Sequence, residues 1–377
     1  MIYFDNAATT PVLPEISKVI EKALLEDWGN PSSLHRKGFE AEKIVREAEE
    51  VIAGVLGVDP KTLIFTSGAT EANNTFLKGA VKGKKGNIIV SSVEHSSVLK
   101  TAMGLGGKEL EVRQIPSDGH ARISVSDAVD LVDENTLLVS CMQVNNELGT
   151  LEPVEEMAQA VKKKNSRTLF HTDGTQGFCK IPLDIKKSRI DAYSMSAHKI
   201  HGPKGIGFLY LRPGLSLPPL IEGGGQQEGK RSGTENVPYL AGFAAACQYM
   251  EKFLKDHPEK IQKLHDVAVE EAMAMDRVHV LSPLEGVSPY ILSLGIEGIK
   301  AEVLLHFLEK KEMYLSTGSA CSLGKPSSVI EACKVPPAYR DGVVRISFQT
   351  ENTVEEIPPF FQEMKKAIQS IRRATGK

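Results

Sequence analysis

The sequence lacks the features that mark membrane proteins and secreted proteins. Its longest nearly apolar run, "LAGFAAAC" at residues 240–247, is far shorter than the roughly 20 residues that a membrane span needs. The N-terminal stretch "MIYFDNAATTP" has no basic segment followed by a long apolar one, so no secretory signal is expected. These absences predict a cytoplasmic protein that does not insert into a membrane.

Cysteine is scarce, and none of it has the CxxC spacing of a zinc site. The odd total also argues against a full set of disulfides, and free thiols are expected in a reducing cytosol. Four of the five cysteines lie in or beside apolar stretches, where buried and unreactive thiols are expected: Cys141, Cys179, Cys247 and Cys333. The fifth, Cys321, lies in polar surroundings and is considered below.

Neither sign of charge is in large excess. The 45 basic and 48 acidic residues leave a net charge of −3, which gives no electrostatic reason to expect direct binding of nucleic acid or of a membrane surface. With 377 residues, 41% of them hydrophobic, the chain is long enough for two domains with cores of their own.

Apolar, β-branched runs alternate with helical patterns from about residue 60 to 212. This alternation predicts an α/β fold with a mainly parallel sheet. The predicted strands are seven: "TLIFTSG", "GNIIVSS", "LEVRQIP", "TLLVSCMQV", "RTLFHTD", "DAYSMS" and "GIGFLYL". Helical sequence follows Pro238, and shorter strand patterns then alternate with two further helices. We therefore predict a large domain at residues 15–255 and a smaller α/β domain made of residues 1–14 and 256–377.

Side chains at strand ends are the candidates for chemistry, because ligands of such sheets bind beyond the carboxyl ends of the strands. In "FTSGATEANN" a strand turns into a helix at Gly68, which suits either an anion on the free backbone N–H groups or a simple helix N-cap. Asp173 follows the apolar "TLF" and should lie at a strand end, where a lone aspartate is also typical of a turn or a cap. Lys199 lies between two histidines in "SAHKIHGPKG". Taken alone, it also fits a surface lysine.

Together, these three features match the needs of pyridoxal 5′-phosphate. An anion-binding turn holds the phosphate, a sheltered lysine bonds to the aldehyde, and a carboxylate keeps the ring nitrogen protonated. Two unit charges at ~4 Å interact by about 4 kcal/mol at an effective dielectric of 20, which is enough to hold that proton at neutral pH.

The chain resembles the class I cysteine desulfurases of the NifS/IscS type, within aminotransferase class V, over its whole length. The resemblance rests on segments that occur in order: "YFDNAATTP", "GNPSSLHRKG", "FTSGATEANN", "EHSSV", "VNNELGT", "SAHKIHGPKGIG", "GGGQ…RSGTENVP" and "STGSACS". It implies the fold type I architecture of pyridoxal phosphate enzymes, a homodimer, and the conversion of L-cysteine to L-alanine. The sulfur would pass through a persulfide on the enzyme to an iron–sulfur scaffold or a tRNA-thiolation protein.

The resemblance also implies roles for individual residues. Ala69, Thr70, Ser196 and His198 would hold the phosphate, and Thr234 would reach the phosphate of the neighbouring subunit. His95 would stack on the ring and move protons. Asn146 and Gln176 would contact the ring hydroxyl or the substrate, and Arg345 would pair with the substrate carboxylate through two parallel hydrogen bonds. Lys199 would also remove the α-proton.

Cys321 lies in "STGSACSLGKPSS", a small and polar stretch that cannot pack as a core segment. The sequence predicts a mobile loop at about residues 316–328, in which a cysteine can be either an incidental thiol or a reactive one. The resemblance implies that Cys321 is the nucleophile that takes the sulfur. It can also ligate an iron–sulfur cluster transiently, whereas no resident metal is expected.

Three departures from the family pattern carry expectations. Gly174 stands where the family commonly has alanine, which predicts looser packing against the cofactor ring. Gln227 and Glu228 replace a Glu-Arg pair, which changes the charge near the approach to the active site. Phe348 and Gln349 replace a Leu-Gly pair beside Arg345.

Two other readings are compatible with parts of the sequence. A selenocysteine lyase or another fold type I enzyme would keep the cofactor residues without requiring Cys321. A non-catalytic scaffold could instead bind metal through His198, His201 and cysteines, although the chain has no cysteine pair.

Overall fold

The computed structural model describes residues 1–318 and 327–375. Its helices are α1 (Pro14–Leu25), α2 (Arg36–Leu56), α3 (Ala69–Val81), α4 (Ser96–Leu105), α5 (Val125–Asp130), α6 (Val154–Lys164), α7 (Ile185–Ser188), α8 (Val237–Asp256), α9 (Lys260–Met273), α10 (Ala301–Glu309), α11 (Ser328–Ala332), α12 (Pro337–Arg340) and α13 (Ile357–Thr375). Its strands are β1 (Ile2–Tyr3), β2 (Leu63–Thr66), β3 (Gly86–Ser91), β4 (Leu110–Ile115), β5 (Thr136–Ser140), β6 (Leu169–Asp173), β7 (Ala192–Ser196), β8 (Gly207–Leu211), β9 (Val278–Val280), β10 (Ile291–Ile296), β11 (Met313–Tyr314), β12 (Ser316–Thr317) and β13 (Val343–Ser347).

The large sheet contains the seven strands that the apolar runs predicted. Its strand order is β2-β8-β7-β6-β5-β3-β4. Only β8 runs antiparallel to its neighbours, while the remaining pairs are parallel. The predicted α/β fold with a mainly parallel sheet is therefore confirmed.

Helices cover both faces of this sheet, which explains why its central strands are almost continuously apolar. Along β2, Phe65 packs with the helices α1, α2 and α8, and its neighbour Ile64 packs with α3 on the opposite face. Strand side chains alternate between faces, so two separate apolar layers form from one short run.

A four-stranded antiparallel sheet, in the order β12-β13-β10-β9, follows in the C-terminal part. It packs with α9, α10 and α13 in one apolar cluster, and the N-terminal residue Phe4 belongs to the same cluster. Strand β1 pairs in parallel with β11, which attaches the chain's start to this part. The domain limits given above remain a prediction.

The helical stretch after Asn236 contains two helices and not one. Pro238 lies in the first turn of α8, as expected, and α8 ends before Pro258. Proline lacks a backbone N–H and disfavours helix in the residue before it, which accounts for the break. Within residues 1–318 and 327–375, no helix is both long and apolar enough to cross a membrane.

Candidate active site

One cavity of about 630 Å³ opens where β2, β3, β6 and β7 end, and most of the predicted site residues meet there. The predicted site residues that line this cavity are Ala69, Thr70, His95, Asn146, Asp173, Gln176, Ser196, His198, Lys199 and Arg345. Parallel strands place their carboxyl ends at one edge, so residues far apart in sequence share this wall.

The turn between β2 and α3 is shaped to receive an anion. Gly68 is the N-cap residue of α3, with a φ of 146° and no side-chain capping bond. A β-carbon at Gly68 would lie 3.2 Å from the Ser196 hydroxyl oxygen, so the turn and the end of β7 are in close contact. The uncapped N–H groups of a helix start and this hydroxyl together suit a phosphate.

Asp173 is buried at the end of β6, with 4% of its surface exposed. Its Oδ1 accepts a hydrogen bond from the Thr175 backbone N–H at 3.0 Å, and its Oδ2 accepts one from the Asn73 amide at 2.8 Å. These bonds hold the carboxylate in place while leaving it room to accept a further hydrogen bond from a ligand.

Lys199 is held against the N-terminal segment of the chain. Its Nζ donates to the carbonyl oxygens of Ala7 at 2.5 Å and of Ala8 at 2.8 Å. The Gln176 amide donates to the same Ala7 carbonyl at 2.9 Å. The residues after β1 therefore form part of the wall and aim the lysine.

The two histidines that flank Lys199 have different surroundings. His198 lines the cavity, its Nδ1 lies 3.1 Å from the Thr9 hydroxyl, and burial, followed by the charge of Lys199, lowers its pKa to about 3. His201 is fully buried, and its nitrogens bond to the Pro11 carbonyl and the Thr350 hydroxyl. Among the described residues, no cluster of three His, Cys, Asp or Glu side chains could hold a metal ion.

His95 caps the start of α4 and is exposed to the cavity on its other side. Its Nδ1 accepts a hydrogen bond from the Ser97 backbone N–H at 3.2 Å. Partial removal from water lowers its pKa; the charge of Asp173 opposes this effect and the charge of Lys199 reinforces it. The ring is therefore neutral at neutral pH.

Arg345 enters the cavity from β13, with 12% of its side chain exposed. One terminal nitrogen donates to the Asn146 carbonyl at 2.7 Å and the other donates to Asp5 at 3.1 Å. Among the described residues, the Arg345 Nε and the Asn146 Oδ1 are buried without a hydrogen-bond partner. A ligand that brings a carboxylate or a hydroxyl here would satisfy groups that are otherwise costly to bury.

Two predicted residues are not in this wall. Thr234 is exposed and is absent from the lining of the cavity in the described chain. Cys321 lies outside the described residues, although Gly318 and Ser327, on either side of the undescribed segment, both line the cavity.

The expected loose packing at Gly174 is wrong. A β-carbon there would lie 1.7 Å from Cζ and 2.0 Å from the hydroxyl oxygen of Tyr193. The Tyr193 ring is 1% exposed and its hydroxyl donates to Gln143 at 2.8 Å. The space of the missing methyl group is thus filled by a phenol from the neighbouring strand.

The other departures also have structural partners. The Gln227 amide bonds to both backbone groups of Phe65, while Glu228 forms an exposed ion pair with Lys230 at 2.8 Å. Phe348 packs edge-on against Phe4, and the Gln349 amide donates to the backbone carbonyl of Lys199 at 2.9 Å. Phe348 therefore packs in the apolar cluster of the C-terminal part, and Gln349 holds the backbone of Lys199.

Sequence reasoning missed three polar residues in or around the site, of which Asn73 and Lys180 are buried. Asn73 lies one helical turn after Ala69, a spacing that could have revealed it. Glu147 lines the cavity, burial raises its pKa, and it accepts a hydrogen bond from Ser327 at 2.5 Å. Lys180 lies over the Tyr290 ring, and burial lowers its pKa to about 7, for which no local pattern gave a signal.

The four cysteines of the described chain are free thiols. Three are buried as expected, whereas Cys179 is half-buried with a φ of 56°. Burial raises the pKa of the Cys141, Cys247 and Cys333 thiols, so these three are poor nucleophiles.

The residues of this cavity fit pyridoxal 5′-phosphate. The uncapped turn at Gly68, with Ser196 and His198 beside it, suits the phosphate. Asp173 suits a protonated ring nitrogen, and Lys199 suits the aldehyde. The orphaned Asn146 and Arg345 atoms suit the polar groups of a ligand in the same space.

Known proteins with the same architecture match the chain from end to end. The aminotransferase class V family matches residues 2–360. A NifS/IcsS protein homolog of Lactobacillus delbrueckii subsp. bulgaricus is 39% identical, over 99% of this chain and 98% of that protein. A cysteine desulfurase IscS of Methanosarcina thermophila is 35% identical, over 98% of this chain and 93% of that protein. A solved NifS-like protein superposes with a TM-score of 0.92 at 38% identity, over 98% of this chain and 99% of that one. The chain therefore belongs to the aminotransferase class V family and has its fold type I architecture.

Proposed function

We propose that the protein is a pyridoxal 5′-phosphate-dependent cysteine desulfurase, which converts L-cysteine to L-alanine and passes the sulfur to Cys321. The observation that carries the proposal is the meeting of Lys199, Asp173, the Gly68 turn and Arg345 in one cavity. The full-length similarity to cysteine desulfurases at 35% identity supports the same reaction.

The positions of the side chains support the cofactor-binding roles that the resemblance implies. The helix start at Ala69 and Thr70, with Ser196 and His198, holds the phosphate. Asp173 holds the proton of the ring nitrogen, and Asn73 keeps its carboxylate in place. When bound, pyridoxal phosphate supplies an aldehyde that bonds to amines and a ring that stores electrons.

Substrate binding and proton transfer fall to residues around Lys199. Arg345 and Asn146 bind the carboxylate of L-cysteine, and Gln176 helps to orient the ligand. Lys199 removes the α-proton and later returns a proton to the product carbon. The Ala7 and Ala8 carbonyls position its amine for both transfers.

The Cys321 thiolate attacks the sulfur of the bound L-cysteine. The carbon–sulfur bond of the substrate breaks as the sulfur–sulfur bond forms, and its electron pair stays with the β-carbon. That carbon takes up a proton equivalent to the one lost by the Cys321 thiol, which leaves L-alanine and a persulfide on Cys321. A free thiol has a pKa near 8.5, so a neighbouring cation must favour the thiolate. Gly318 and Ser327, the described residues that come directly before and after the segment containing Cys321 in the sequence, both line the cavity.

The persulfide sulfur then passes to an acceptor protein, either an iron–sulfur scaffold or a tRNA-thiolation protein. The enzyme acts as a homodimer in which Thr234 completes the phosphate site of its partner. A cytoplasmic location is supported by the four free thiols of the described chain.

The proposal is tested with two variants. Lys199→Ala removes the amine that bonds to the cofactor, so borohydride should fix no cofactor on the protein, and alanine formation should fall by about 10²–10⁴-fold or more. Cys321→Ala should keep the visible absorbance of the cofactor and lose sulfur transfer from L-cysteine. Absorbance spectra and parallel assays of alanine and sulfide, with cysteine and with selenocysteine, measure both outcomes.

Cys179→Ala is the matched control, because Cys179 is the half-buried thiol that lies outside the cavity wall. It should retain both cofactor and turnover. Undiminished sulfur transfer in Cys321→Ala would reject Cys321 as the nucleophile, and activity on selenocysteine alone would make the protein a selenocysteine lyase.

A further inference from the structure

The hydrogen bonds on the protein side of His95 determine which nitrogen of its imidazole carries the ring proton. The Nδ1 accepts from the Ser97 backbone N–H at 3.2 Å, and it lies 2.8 Å from the Ser97 hydroxyl oxygen. A ring nitrogen that accepts from a backbone N–H has no proton of its own. In the neutral imidazole, the proton must then be on Nε2.

Asn73 sets the direction of the bond between Ser97 and His95. The Asn73 amide is fully buried, with its Nδ2 2.8 Å from Ser97 Oγ and 2.8 Å from Asp173 Oδ2. A carboxylate only accepts hydrogen bonds, so the amide nitrogen, and not the amide oxygen, must face Asp173. The other N–H of the same group then donates to the Ser97 oxygen.

Ser97 is left with one hydroxyl hydrogen, and the acceptor that bonds to its oxygen among the described residues is the bare Nδ1 of His95. The donor and the acceptor of each of these hydrogen bonds are therefore assigned. Asn73 donates to both Asp173 and Ser97, and the Ser97 hydroxyl donates to His95. Protonating Nδ1 would remove the hydrogen bond from the Ser97 N–H and would turn the Ser97 hydroxyl from the donor into the acceptor of its bond with His95.

We propose that Asn73 and Ser97 hold His95 as its Nε2–H tautomer, so that His95 presents a proton donor, and not a base, to the cavity. His95 is exposed and lines the cavity, and its Nδ1 is already bonded to Ser97, so Nε2 is the nitrogen left for a ligand. Ser97 and Asn73 are positioning residues, because they act through His95 and Asp173. The donor role rests on the proposed function, whereas the tautomer does not.

Two charges act on the ring from the elements around it. Asp173, at the end of β6, favours the imidazolium form, and Lys199, after β7, disfavours it. The partial removal of the ring from water also disfavours the charged form, and it lowers the His95 pKa more than either charge changes it. His95 therefore starts the reaction neutral, with one proton to give on Nε2. The thiol proton of the incoming L-cysteine must go to another group.

The tautomer is tested by nitrogen-15 NMR of the full chain labelled at histidine, with and without pyridoxal phosphate. The spectrum of His95→Gln identifies the His95 signals. In the unsubstituted protein, Nδ1 should show the signal of a nitrogen without a proton and Nε2 that of a protonated nitrogen. In Ser97→Ala, which removes the hydroxyl and keeps the N–H, the two signals should move toward each other and the His95 pKa should rise. Ser97→Thr restores the hydroxyl and should restore the spectrum.

A protonated Nδ1 in the unsubstituted protein would overturn the proposal, as would a Ser97→Ala spectrum identical to that of the unsubstituted protein. The donor role is tested separately by the pH profile of alanine formation. In Ser97→Ala, the part of this pH profile that reflects protonation of His95 should shift to higher pH. In Ser97→Thr, it should return to the position seen in the unsubstituted protein. A correct tautomer in a protein without desulfurase activity would reject the proposed function and leave the tautomer standing.

Discussion

At the scale of single residues, the absence of a side chain at Gly174 is required by Tyr193. A β-carbon at Gly174 would overlap the phenol, which cannot move because it packs among Phe178 and Phe208 in the core between the sheet and its helices. Gly174→Ala should therefore lower the free energy of unfolding by about 1–3 kcal/mol or more, as overpacked cores do. Chemical denaturation of the cofactor-free protein measures the change.

A double-mutant cycle isolates this contact. Tyr193→Leu alone should destabilise the protein, because it opens a cavity and leaves Gln143 without its donor. Combined with Gly174→Ala, it should cost less than the sum of the two single changes. Gly54→Ala in α2 is the control. Apart from its chain neighbours and the backbone of its own helix, no atom of the described chain lies within 4 Å of the added carbon, so the change should be neutral or stabilising. Equal losses at Gly54 and Gly174 would contradict this explanation.

At the scale of elements, Gln227 protects the open edge of the large sheet. Strand β2 is the outermost strand on its side, and its Phe65 N–H donates to the Gln227 Oε1 at 2.6 Å while the Gln227 Nε2 donates to the Phe65 carbonyl at 2.9 Å. The side-chain amide thus replaces a neighbouring strand directly before the Gly68 turn, at an edge that would otherwise stay unpaired.

Gln227→Glu should break this arrangement in a way that depends on pH. A carboxylate can accept from the Phe65 N–H, but it cannot donate to the Phe65 carbonyl, so the free energy of unfolding should fall by about 1–3 kcal/mol at neutral pH. The folded protein should therefore raise the pKa of the new Glu, and the defect should shrink as the pH falls toward 5 and the acid can donate again. Denaturation at both pH values measures it. A loss that does not vary with pH would show that the donor to Phe65 is unimportant.

At the scale of the whole molecule, several apolar side chains are exposed from the last turn of α1 to the first turn of α2. Leu24, Leu25, Trp28, Leu34 and Phe39 are all more than half exposed, and Leu34 is fully exposed. Exposed apolar patches mark interfaces, and a second copy of this chain is the partner that the proposed homodimer supplies. Trp28 is the sole tryptophan of the chain, so its emission should shift to shorter wavelength when the protein associates.

Mixing two inactive or weakened variants tests whether Thr234 acts across the interface. A Lys199→Ala subunit provides an intact Thr234, and a Thr234→Ala subunit provides an intact Lys199. If Thr234 serves the partner's site, a mixed dimer has one complete site, and activity should rise above that of either variant alone. No recovery in proven mixed dimers, or a monomer in sedimentation at micromolar concentration, would contradict the proposed assembly.

Local sequence patterns sufficed for the strands of the large sheet and for the Gly68 turn, Asp173 and Lys199, whereas the resemblance was needed for the other predicted residues of the cavity wall. Short apolar runs bounded by turns specify strands without reference to the rest of the chain, and strand-end residues such as Asp173 and Lys199 then meet because parallel strands end at one edge. The roles of individual residues came from motif resemblance and remain proposals.

The contacts that refine the site were decided by the tertiary structure alone. Lys199 bonds to a carbonyl 192 residues away, Arg345 pairs with Asp5 across 340 residues, and Asn73 reaches Asp173 across 100. Periodicity and turn chemistry describe a segment and its immediate neighbours. Which distant side chain fills the space beside Gly174, or fixes the proton of His95, depends on the order of strands in the sheet and on the packing of side chains between layers.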